Sequence, residues 1–174
     1  MLSDKYSKFN WWQIALISVV VSAVGGLASM QSSKKNRIIY DNKLKQAPWA
    51  PPGWLFAPAW NFNNLFLLIA LQRLLKSDIP DKNRLLVLQA MMWVVYFSFG
   101  YVYFKKKSPL LAAAWTMSDA ALASTSFAIA FKSDRKLAMN YLPLMVWTGF
   151  ASTVANYQAL KNPDPIFRTK AILN

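Results

Sequence analysis

The charged residues of this chain fall in short clusters separated by five long apolar gaps, and that spacing constrains the fold more than any other feature. Residues 9–33, 50–72, 85–104 and 137–160 contain no Lys, Arg, Asp or Glu, and residues 108–131 contain Asp119 alone. A helix crosses a bilayer in about 20 mostly apolar residues, so each gap is long enough for one span. The expected fold is an all-α membrane protein: a five-transmembrane-helix bundle with helices near 9–33, 50–75, 84–104, 108–131 and 137–160. One domain covering residues 1–174 is the economical reading, because no period of 20 to 50 residues repeats and no stretch is low in complexity.

Composition agrees with lipid as the solvent. Apolar residues make up 55% of the chain, with 15% aromatics and eight Trp, above the roughly 45–50% apolar content of an ordinary soluble domain. Without His or Cys, imidazole and thiol chemistry are excluded and so are the usual zinc sites. Paired carboxylates, phosphate-cradling glycine loops and Ser-His-Asp sets are missing too, so the expectation is a non-enzymatic protein with no required cofactor. The net charge of +13 comes from clusters such as Lys34–Lys35–Arg37 and Lys105–Lys106–Lys107. Basic residues between apolar runs suit lipid headgroups, and five spans leave no polar domain with which to read nucleic acid.

The first apolar run is long enough to span and opens on Asn10–Trp11–Trp12, an interfacial anchor, so it reads as retained rather than as a cleaved signal. Ser22, Ala23, Gly25, Gly26, Ala28 and Ser29 form a small-residue patch suited to close helix packing. The loop at 31–50 is long for a bundle, which is often a sign of function. The other links are short, making consecutive helices antiparallel neighbours. Lys and Arg number 9 on the N-terminal side and 11 on the other, so charge bias selects no orientation.

The segment APWAPPGWLFAPAWNFNN surrounds Trp49, Trp54 and Trp60 with prolines. Pro51 and Pro52 suit a helix entrance, where the missing N–H has no intrahelical partner. Pro58 is expected to lie inside the helix and to kink it, turning Trp54 and Trp60 toward a shared pocket. Trp49 and Trp54 also fit interfacial anchors, whereas Trp60, followed by Asn61, Asn63 and Asn64, is placed to line a cavity.

Trp49, Pro51, Pro52, Trp54, Phe56, Pro58 and Trp60 stand in the register W-x-P-P-x-W-x-F-x-P-x-W. That pattern resembles the hallmark of the TspO/MBR family, the tryptophan-rich sensory proteins and translocator proteins. Pro143, Trp147, Phe150, Ala151 and Asn156 resemble the family's fifth helix, and Trp115 with Asp119 its fourth. The resemblance covers residues 40–162 and implies a hydrophobic planar or sterol-like ligand held between helices one, two, three and five. Trp60 and Trp147 match the tryptophans associated with porphyrin binding and light-dependent porphyrin degradation, the one enzyme-like chemistry in view. Gln89 is kept, but Trp93 and Tyr96 stand where the family has Asn and Trp. Asn64 replaces a Tyr, Leu67–Leu68 a Met-Gly pair, Leu144 a Tyr and Ala47 a Pro.

An indole at Trp93 makes the pocket smaller or fills it, in which case the protein becomes an accessory subunit of a larger membrane complex; a homodimer is a separate expected state. Asp119 lies eleven residues from the start of its gap, where a charge costs about 2.5–3.5 kcal/mol on insertion scales, so it should face the bundle interior, bonded to a neighbour such as Ser118 or Asn64. Trp147, Phe150, Ala151 and Val154 share a helical face, with Ala151 leaving room for a ring. Val154, Tyr157 and Lys161 fit the permissive sterol pattern L/V-x-Y-x-K/R. The expected partners are membrane lipids and a hydrophobic small molecule.

Overall fold

In the computed structural model, residues 9–30 and 43–173 are described, with 27–30 known by their backbone alone. The cluster Lys34–Lys35–Arg37 and the side chains of Ala28 and Ser29 lie outside the described residues. Five long helices follow one another among these residues: α1 (Trp11–Met30), α2 (Phe56–Lys76), α3 (Lys82–Gly100), α4 (Pro109–Ser133) and α5 (Arg135–Lys161). Two are long and apolar enough to cross a membrane by length and composition, α2 with its leading turn (Gly53–Lys76) and α3 with its trailing turn (Lys82–Lys105). In α1 the apolar stretch Trp11–Gly26 is the part whose side chains are described.

Local chemistry explains the boundaries. A 3-10 turn, Gly53–Leu55, precedes α2, and its N-cap is Pro52. Pro58 is therefore the third residue of α2, in the first turn, where the missing N–H has no carbonyl to serve. The kink expected at Pro58 rested on a helix starting near residue 50; the later start removes its cause. At α4, Ser108 caps the helix by accepting from Leu111 N–H at 3.1 Å, and Pro109 fills the first position. At α5, Asp134 accepts from Lys136 and Leu137 N–H at 3.0 and 3.1 Å, so one residue links α4 to α5. α3 ends in a π-helical turn, Tyr101–Lys105, with Lys106 N–H bonding Tyr101 C=O at 3.0 Å.

The helices form a closed ring: α1 packs on α2, α2 on α5, α5 on α4, α4 on α3, and α3 again on α1. α2 and α3 also touch across the ring. The most extensive pairing is α4 with α5. Its cause lies in α4, where buried Ala112, Thr116, Asp119, Ala123, Ser126 and Ala130 recur in alternating steps of four and three. That rhythm keeps one seam facing the neighbour, and small side chains let the backbones approach. The core joins Leu67, Ala70 and Leu74 of α2, Leu85 and Met92 of α3, and Leu137, Tyr141 and Leu144 of α5. Outward faces are also apolar, as Val19, Val20, Val24, Val87, Val94 and Val146 show; burial inside the chain leaves these residues to another apolar phase.

Candidate ligand site

The end of the first loop is fastened to α5. Lys45 N–H donates to Asn162 Oδ1 at 2.8 Å, Asn162 Nδ2 returns a bond to Lys45 C=O at 3.1 Å, and Gln158 Nε2 donates to Gln46 Oε1. Trp49 Nε1 donates to Thr153 Oγ1 at 3.1 Å, and its indole meets the Tyr157 ring edge-on at 5.4 Å. Residues 45–49 thus lie along the C-terminal part of α5, with Ala47 among them buried. This arrangement divides the sterol pattern: Val154 is buried in the bundle, Tyr157 is half-buried against Trp49, and Lys161 is half-buried. They do not form one open surface.

An aromatic strip joins α2 to α5. Phe56 packs edge-on against Trp147 at 5.6 Å, and Phe150 lies 6.2 Å from Trp147. Trp147 and Ala151 are half-buried, Phe150 is exposed, and Trp147 Nε1 is buried with no hydrogen-bond partner. A buried indole donor without an acceptor forgoes a bond worth about 1–3 kcal/mol, which a ligand oxygen could restore. Trp60 packs on the core with its ring 5.1 Å from Tyr96. Trp54, expected to share a pocket with Trp60, is 72% exposed on the 3-10 turn. The turn points it away because α2 has not yet begun. Asn156 is half-buried and donates to Ser152 C=O of its own helix at 2.8 Å.

Between α1, α2 and α3 the space is taken by side chains. A Cβ on Gly25 would stand 2.5 Å from the Tyr96 ring, so glycine is what admits that ring. Trp93 holds Tyr96 from the other side, edge-on at 6.0 Å, and stacks on Phe97 at 5.9 Å. A polar seam joins α1 to α2: Asn61 Oδ1 accepts from Ser18 and Ser22 at 3.3 Å, and Asn64 Nδ2 donates to Ser22 Oγ at 2.9 Å. Asn64 and Ser22 also face the Tyr96 hydroxyl. Gln89 ties three helices, donating to Leu67 C=O at 2.6 Å and accepting from Tyr141 Oη at 3.2 Å.

Asp119 is buried in the α4 seam and its Oδ1 has no partner. Neither expected neighbour bonds it, since Ser118 is exposed and donates to Ala114 C=O, while Asn64 is engaged with Ser22. Ser22 and Asn61 are among the residues singled out in the sequence, without the bond that joins them, whereas Tyr141 and Ser18 are not. Their signal was helical spacing, with Ser18 and Ser22 one turn apart and Tyr141 one turn before Leu144 and Met145. Two open clefts lie elsewhere. One, about 500 Å³, runs between α3 and α4 past Met91, Val94, Trp115 and Leu122. The other, about 610 Å³, is polar and lies at the junction of α2 and α5 beside Arg73 and Asp134.

Comparison with known proteins gives the family. A stretch of 56 residues is 38% identical to Protein CrtK of Rhodobacter capsulatus, covering 32% of this chain and 33% of that protein. The match therefore spans about a third of the curated relative's length. Residues 14–161, from the second turn of α1 to the last residue of α5, match the TspO/MBR family, and the chain belongs to that family of membrane proteins.

Proposed function

We propose that the chain is a multi-pass integral membrane protein of one TspO-type domain, with all five helices spanning, that binds a flat hydrophobic ligand of the porphyrin or sterol class without catalysing a reaction. The single observation that carries the ligand reading is the orphaned donor: Trp147 Nε1 is buried and unpartnered on an indole that packs against Phe56 and Phe150. Aromatic edges and one hydrogen-bond donor are what a planar apolar molecule with a peripheral oxygen requires. The span reading for α4 and α5 is supported by their charge gaps; Ser and Thr lower the mean hydropathy, and hydroxyls such as Ser118, Thr148 and Ser152 bond carbonyls of their own helix, which lipid tolerates. Asp119, Gln89 and Asn64 then face the ring interior.

Protoporphyrin added to the purified protein should quench Trp fluorescence saturably, and Trp147→Phe should weaken binding about five- to tenfold by removing the donor. Linear, unsaturable quenching would remove the ligand reading. A second reading is favoured by one observation: Tyr96, clamped by Trp60, Trp93 and Gly25, fills the space between α1, α2 and α3. In it the fold serves as an accessory subunit of a larger membrane complex. Purification from native membranes in mild detergent separates the readings, because migration solely as a monomer or dimer counts against a recruited subunit.

A further inference from the structure

We infer that one end of the bundle carries a specific docking face for anionic lipid, built from two adjacent turns, residues 101–107 and 164–170. The inference rests on the spanning reading, which places this end among headgroups. The π-helical turn at Tyr101–Lys105 brings two consecutive ammonium groups over one ring: Lys105 Nζ and Lys106 Nζ lie 5.3 and 5.5 Å from the centre of Tyr101. Both lysines and the ring are exposed, as is Lys107. A ring face attracts cations, so Tyr101 gathers positive charge instead of letting it spread.

The second turn lies beside the first because one buried carboxylate fastens it to the start of α4, where the first turn ends. Asp164 Oδ2 accepts from Ser108 Oγ at 2.6 Å and from Leu110 N–H at 3.0 Å, while Oδ1 accepts from Ile166 and Phe167 N–H at 2.8 and 3.0 Å. Asp164 and Thr169 also pair through their backbones, at 3.0 and 3.2 Å. The latched segment presents exposed Ile166, Phe167, Ile172 and Leu173 around exposed Arg168 and Lys170. Apolar side chains beside cations at a span's end are the composition that enters an anionic interface.

Backbone strain marks the same place. Among the described residues, the non-glycine positions with positive φ are Lys107 at 53° and Arg168 at 52°, one in each turn. A left-handed backbone is unfavourable for either residue and persists where surrounding bonds over-determine it. Here the Asp164 latch supplies those bonds, and both strained residues carry charge. The carboxylate of Asp164 is consumed inside the latch, so the outer surface of the two turns shows five cations, Lys105, Lys106, Lys107, Arg168 and Lys170, and no acid.

The test uses the full chain reconstituted in phosphatidylcholine bilayers, with spin-labelled phosphatidylglycerol or spin-labelled phosphatidylcholine as the probe. Phosphatidylglycerol should be preferred about fivefold at low salt, the effect of one cation near a phosphate, and less at high salt. Glutamine at Lys105, Lys106, Lys107, Arg168 and Lys170 together should bring the preference to parity. Glutamine at Arg73, Lys76 and Lys136, at the opposite end, should leave it unchanged. Asp164→Asn should retain helicity yet lose more than half of the preference, because the turns separate. Parity in the native protein, survival of the preference in the five-site variant, or equal loss in the opposite-end variant overturns the inference. A chain that washes off bilayers in alkaline carbonate refutes the spanning reading instead; one that stays embedded at parity refutes this face alone.

Discussion

At the scale of single residues, two positions decide how the helices meet. Gly25 admits the Tyr96 ring, and that ring cannot swing aside because Trp60, Trp93 and Phe97 surround it. Gly25→Ala should therefore cost about 1–3 kcal/mol as overpacking, read as a fall in melting temperature in detergent. Tyr96→Ala added to the same chain should relieve that clash, so the two effects should be strongly non-additive; simple additivity would mean that the ring moves freely. Gln89 offers a different test. Gln89→Leu strands the Tyr141 hydroxyl in the core and should cost about 1–3 kcal/mol, and adding Tyr141→Phe should recover part of that loss. Trp93 and Tyr96 were legible as departures from the family pattern. That they would pack against each other was not, since that depends on a glycine in another helix.

At the scale of elements, junctions carry the information that periodicity lacks. Arg73 at the end of α2 binds Asp134 at 2.6 and 3.0 Å, and Asp134 caps α5. The Arg73 guanidinium, helped by the Leu137 and Lys136 N–H groups, holds the Asp134 carboxyl below its ordinary value against a modest opposing effect of burial. A carboxyl lowered in the folded state contributes stability that is present above the unfolded value, about 3.9, and is lost as pH falls through the lower folded one. The α2–α5 junction should hold at neutral pH and open only under more acidic conditions than free carboxylates require, as hydrogen exchange at Lys136 and Leu137 would report. Asp134→Ala should cost about 0.5–2 kcal/mol through the lost cap. Asp134→Asn should cost less, because Asn still caps and the exposed ion pair is worth only about 0–1 kcal/mol; an inverted order would show that the ion pair dominates. Pro58, in a first turn rather than a helix interior, predicts near-neutral stability for Pro58→Ala.

At the scale of the whole molecule, the closed ring depends on the α4–α5 seam. Ala123→Leu forces a larger side chain between two close backbones and should cost about 1–3 kcal/mol or more, whereas Ala128→Leu, on the exposed face, should be nearly silent. Thermal denaturation in one detergent compares the pair directly, and equal effects would contradict the observed facing of α4. The helix order also separates two aromatic groups: Trp60, Trp93 and Tyr96 lie where α2 meets α3 across the ring, and Phe56 with Trp147 lies where α2 meets α5.

Sequence alone determined the five helices, their approximate limits and the family, because charge gaps, prolines and helix caps act over a few residues and are written in consecutive positions. It placed Pro58 inside the helix through a shift of about one and a half turns in where α2 begins, since a 3-10 turn and a first α-turn share the same residue types; of the two readings open for Trp54, its exposure suits the interfacial anchor. Only the tertiary structure decided which side chain fills which gap, that Trp147 keeps an unpaired donor, and that Asp164 fastens the turn at 164–170 to the start of α4. Those outcomes depend on residues remote in the chain meeting at fixed distances, and packing at interior density resolves them where local pattern does not.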